Sequence, residues 1–133
     1  MDFMTALRNK AAALNTCLKI EDMGKLKAGW CYGEGVSVGQ ETALLAIELD
    51  LFAAVCAQGS LQTDAFPGLE GEVMLTLYLG AHYAEITIRA DRLIDCFWEL
   101  WGREAGSKQS LEAVEAKDRL TDFAAALEHP LES

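Results

Sequence analysis

The feature that most constrains the fold is a change of period near residue 72. Val73, Leu75, Leu77 and Leu79 alternate with Glu72, Met74, Thr76 and Tyr78; Ala84, Ile86 and Ile88 alternate with Tyr83, Glu85, Thr87 and Arg89. A period of two puts one set of side chains on each side of a strand. Gly80-Ala81 between the runs suits a two-residue type II′ turn with glycine first. That turn pairs Leu77 with Ala84, Leu75 with Ile86 and Val73 with Ile88 on one face, and Tyr78 with Tyr83 and Glu72 with Arg89 on the other. Apolar meets apolar and opposite charges meet, as a hairpin requires.

Leu93 to Trp101 reads two ways. As a strand it turns Ile94, Cys96, Trp98 and Leu100 to the core, sets Arg89 beside Asp95 and brings Glu85 opposite Glu99. As a helix it gathers Leu93, Ile94, Phe97, Trp98 and Trp101 on one side, with Asp91 as cap and Gly102 as stop. The strand is preferred, because aromatics suit strands and a lone hairpin is marginal.

Elsewhere the period is helical. Phe3, Leu7, Ala11, Leu14 and Leu18 mark one apolar face, with a looser continuation through Leu26. Ser37 and Gln40 form a capping-box pattern ahead of a helix whose stripes are Leu44, Ile47, Leu51, Val55 and Leu45, Leu49, Phe52, Cys56. Residues 60–69 read as a loop. A last helix is expected from Lys108 to Leu127, followed by a tail at His129-Pro130. The expected fold is α+β: one domain over 1–133, with a two- to three-stranded antiparallel meander packed against three to four helices.

Charge narrows the partners. Of 133 residues 11 are basic and 21 acidic, a net charge of −10, and residues 31–106 alone carry −9 (three basic, twelve acidic). Such a surface repels phosphate, so nucleic acid is not an expected partner. No apolar run reaches the ~18 residues of a membrane span, and no signal-like opening is present, so a cytoplasmic protein without a membrane partner is expected. Cys17, Cys31, Cys56 and Cys96 lack metal or redox spacing and read as reduced structural thiols.

The segment Leu26-Lys27-Ala28-Gly29-Trp30-Cys31-Tyr32-Gly33-Glu34-Gly35, a long apolar helix, and Gly71-Glu72-Val73 opening a hairpin follow in order. Over residues 20–101 the chain resembles a family of small uncharacterised prokaryotic proteins with an L-K-x-G-W-x-x-G-x-G segment. The resemblance implies the α+β order and the third strand. It implies no activity and no catalytic residues.

Several sites are weighed and set aside. Gly33-Glu34-Gly35 with Gly39 has neither phosphate-loop spacing nor a preceding strand, and the better reading is a tight turn with Trp30 and Tyr32 packed over the next helix. Glu34, Glu41, Glu48, Glu85 and Glu99 read as solvated carboxylates, and His82 as an exposed turn residue unconnected to Cys31. No catalytic residue, metal or cofactor is expected.

The least ordinary feature is the second sheet face, where Tyr78, Tyr83, Phe97 and Trp101 lie among Glu72, Glu85, Arg89 and Glu99. That mixture suits a partner surface, although a helix lying over it would make the same aromatics core. The expected function is a non-catalytic acidic interaction module, acting by self-association as a homodimer or by holding a basic protein in the manner of an antitoxin or inhibitor. The interaction residues would be Tyr78, Tyr83, Glu85, Arg89, Phe97 and Trp101. The alternative is a small-molecule-binding protein or enzyme with a pocket between the sheet and Trp30, Tyr32 and Glu34.

Overall fold

The structure is a computed structural model that describes residues 2–125. In chain order it runs α1 (Phe3–Met23), α2 (Gln40–Cys56), β1 (Leu61–Pro67), β2 (Val73–Leu79), β3 (His82–Ile88), β4 (Ile94–Leu100), β5 (Arg103–Leu111) and α3 (Ala113–Ala125). The strands form one antiparallel sheet in sequential order. The fold is α+β, but among the described residues it has five strands and three helices rather than the two to three strands expected.

The central hairpin has the expected register, Val73 with Ile88 through Tyr78 with Tyr83. Gly80 supplies the positive φ of 61° at the first turn position. Residues 94–100 are the third strand, two residues away from the expected register. Tyr83 faces Glu99 and Glu85 faces Phe97, which removes the expected like-charge pair. The cause is a tight connection: Arg89 N–H bonds the Leu93 carbonyl (2.9 Å), Arg92 turns left-handed at φ 67°, and Asp91 accepts from Leu93 N–H.

Two strands went unrecognised because their sequences carry little apolar alternation. In β1, Leu61, Thr63 and Ala65 face inward, and Ala65 is too small and Thr63 too polar to mark a period. In β5 the only buried residue is Leu111, opposite Ile94, so Leu111 and the polar residues 108–110 before it form strand where helix was expected. Gly106 is needed there, since a Cβ would lie 2.4 Å from the Trp98 ring. A polar, charged edge also suits a strand whose outer backbone faces water. In α3, Ala116, Leu120, Phe123 and Ala124 are buried as their spacing predicts; Leu127 and His129-Pro130 lie outside the described residues.

The helices are oriented differently from expectation. On α1 the buried residues are Asn9, Ala13, Thr16, Ile20 and Met23, while Phe3, Leu7, Leu14 and Leu18 are exposed. The reason lies in edge strand β1, whose outward backbone groups need partners. The Asn9 amide donates to Gly59 O and accepts from Leu61 N–H, both at 2.8 Å, and the Thr16 hydroxyl donates to Thr63 O at 3.0 Å. Polar side chains therefore face the sheet edge and the leucines face away.

Helix α2 is reversed along one of its two expected stripes only; in the other, Leu49 is buried and Leu45 and Phe52 pack against the core. Ala43, Ala46, Ala53 and Ala54 are buried with Leu49, because small residues let the helix approach its neighbours closely, and Leu44, Leu51 and Val55 point outward. Its cap is Gly39 without a side-chain bond, not Ser37. No helix among the described residues is long and apolar enough to cross a membrane.

Candidate functional site: the open face of the sheet

Alternation divides the sheet cleanly. Val73, Leu75, Leu77, Leu79, Ala84, Ile86, Ile88, Ile94 and Cys96 face the helices and are buried. The side chains between them form the other face. Its rows follow from the strand registers: Gln62, Tyr78, Tyr83, Glu99 and Glu104 in one; Asp64, Thr76, Glu85, Phe97 and Ser107 in the next; Phe66, Met74, Thr87 and Asp95 in the third.

Tyr78 and Tyr83 pack ring to ring, centroids 5.0 Å apart and tilted by 48°. Tyr83 is half-buried among its neighbours, and burial, with the charge of Glu85 beside it, pushes its phenol up to about 12. It is therefore a neutral donor at physiological pH. The cross-strand partners Glu85 and Phe97 lie one row away. Tyr78 is half exposed, whereas Thr76 is closed over by its neighbours.

At one end of this face Arg89 is held by carboxylates. It pairs with Asp91 at 2.9 Å and Asp95 at 3.5 Å, and also reaches the Ser110 hydroxyl. Its expected partner Glu72 instead accepts from Glu70 N–H within its own turn. At the opposite edge Asp64 is paired with Lys19 of α1. The carboxylates at the centre, Glu85 and Glu99, stand beside aromatic rings.

Trp101 stands apart from the other residues expected on this face. It occupies the β4–β5 turn at φ 57°, and its ring meets His82 edge-on at 4.7 Å. His82 is buried on the helix side, not exposed at its turn, and its Nδ1 accepts from Trp101 N–H at 3.1 Å. Burial lowers its pKa, so the ring stays neutral. Period two at β3 places His82 on the core side, a signal obscured by the habit of reading a turn histidine as exposed.

In the glycine loop, Trp30, Tyr32 and Glu34 have different surroundings. Trp30 folds back so that its indole donates to Val36 O at 3.0 Å against Gly35. Tyr32 projects fully into solvent instead of packing over α2, and exposed Glu34 closes a backbone bridge with Cys31. Among the described residues no group of three His, Cys, Asp or Glu could hold a metal ion. Comparison with family models, curated proteins and solved structures finds no match to this chain.

Proposed function

We propose that the chain is a protein-interaction module that holds an arginine-bearing segment of a basic partner on the open face of its sheet. The observation that carries this reading is the interleaving of Tyr83 and Phe97 with Glu85 and Glu99 on neighbouring strands. A guanidinium recognises both kinds of neighbour, stacking on a ring while its planar fork bonds a carboxylate. An ammonium is also drawn to a ring or a carboxylate, as Lys19 is to Phe66, but it can neither stack flat nor bond a carboxylate with two parallel N–H groups. The surplus of negative charge on this face also argues against two copies meeting there, and would speed encounter with a cationic partner.

The chemistry is recognition without a reaction. Rows of cross-strand side chains held by backbone bonds present donors and rings in fixed positions, so little ordering is needed on binding. Titration calorimetry with two peptides of equal charge and length, one arginine-rich and one lysine-rich, tests the reading. Arginine should be favoured several-fold, and Tyr83→Ala with Phe97→Ala should abolish that preference. Equal affinities would refute it.

A further inference from the structure

The outer side of the α1–α2 pair carries an apolar seam unused by the fold. Met4, Leu7, Ala11, Leu14 and Leu18 follow one another at steps of three, four, three and four, the spacing of a helix-packing seam. On α2, Leu44 and Leu51 stand seven apart and Val55 one turn further. The larger members, with Phe3, are 39–74% exposed. The helices run antiparallel: Asn9 meets Gly59, Cys17 meets Asp50, and the end of α1 lies beside the start of α2. Helical periodicity then puts both stripes on the solvent side, flanking one seam.

We propose that this face docks a second copy of the chain, two helix pairs closing into a four-helix layer about a two-fold axis. The exposed seam side chains present on the order of 800 Å², which is what each partner of a stable interface buries and more than the largest patch on an ordinary monomer. Charge selects the same occupant. Residues 1–30 carry +2 in a chain of −10, so this is the side on which two acidic copies repel least. Helix α1 holds Arg8, Lys10 and Lys19 against Glu21 and Asp22, while the exposed charges of α2 are Glu41 and Glu48, with no base on that helix. A two-fold axis that lays α1 of one copy along α2 of the other therefore sets a basic helix against an acidic one. A cavity of about 350 Å³ at the Gly24–Leu44 end of the seam offers a socket for a side chain of the second copy.

Light scattering after size exclusion, on the whole chain at about 100 μM, tests the proposal. The wild type should run at twice its 14.5 kDa chain mass. Leu14→Glu with Leu51→Glu should run at the single mass with unchanged far-ultraviolet dichroism, and so should Val55→Lys, whose side chain is already solvated in one copy. Tyr83→Ala, on the other face, should remain at twice the mass. A wild type at the single mass overturns the proposal; so does a doubled mass that survives these substitutions. If the wild type is single and the seam variants lose thermal stability, residues of the same chain cover the face and the proposal likewise falls.

Discussion

Across the seam between the first two helices, the Cys17 thiol donates to Oδ2 of Asp50 at 3.2 Å. Oδ1 of that fully buried carboxylate has no hydrogen-bond partner among the described residues. Burial pushes the Asp50 carboxyl up to about 6 from an ordinary 3.8. Its contribution to stability is complete below 3.8 and is lost as pH rises through 6, because only the unfolded chain ionises freely between those values. Asp50→Asn should therefore stabilise the fold by on the order of 2–3 kcal/mol at pH 7.5 and change little at pH 4. Urea unfolding at the two pH values measures the difference, and equal effects at both would contradict it.

The same contact protects the thiol. Burial and the neighbouring carboxylate raise Cys17 to about 12, and burial raises Cys96 to about 11. Since the thiolate is the reactive form, both should resist iodoacetamide at pH 8 in the folded chain and react once urea unfolds it. Peptide mass spectrometry reads each site separately. Modification of Cys17 in the folded chain as fast as in the unfolded one would show the pair to be open.

Asn9 tests the orientation of α1. Its amide satisfies both Gly59 O and Leu61 N–H at the sheet edge. Asn9→Leu should cost about 2–4 kcal/mol although it adds apolar volume, because two backbone groups lose their partners. Denaturant unfolding measures it, and a stabilised variant would mean that α1 presents another side to the sheet.

Gly35 tests the loop. It sits at φ 103° with Trp30 Nε1 2.6 Å from where a Cβ would stand. Gly35→Ala should lower stability by about 1–3 kcal/mol, through backbone strain and displacement of the indole. Tryptophan emission should move to the red as Trp30 loses cover. An unchanged unfolding midpoint and spectrum would contradict the packing.

What the sequence reveals depends on where each element gets its cohesion. The Val73–Ile88 hairpin is legible because its strands lie centrally and their alternation is written in large apolar residues. The edge strands are not: β5 buries only Leu111, and its pairing depends on backbone bonds that leave no side-chain period. The α1 and α2 stripes are legible as stripes but not as to direction. Leu14 and Leu51 look like core until it is known that the sheet edge demands the Asn9 amide and that close packing demands the alanines. The residues Tyr78, Tyr83, Glu85 and Phe97 follow from the hairpin register and the strand after it. Trp101 does not, because a left-handed turn residue carries its ring off the strand plane.

The most direct test of the open sheet face is an NMR titration of the isotope-labelled chain with an arginine-rich peptide at physiological salt. Shift changes are predicted to cluster at Tyr78, Tyr83, Glu85, Phe97 and Glu99, and to leave the exposed acids Glu34, Glu70 and Glu115 unmoved. Changes spread over every acidic region, or confined to the helices, would contradict the account.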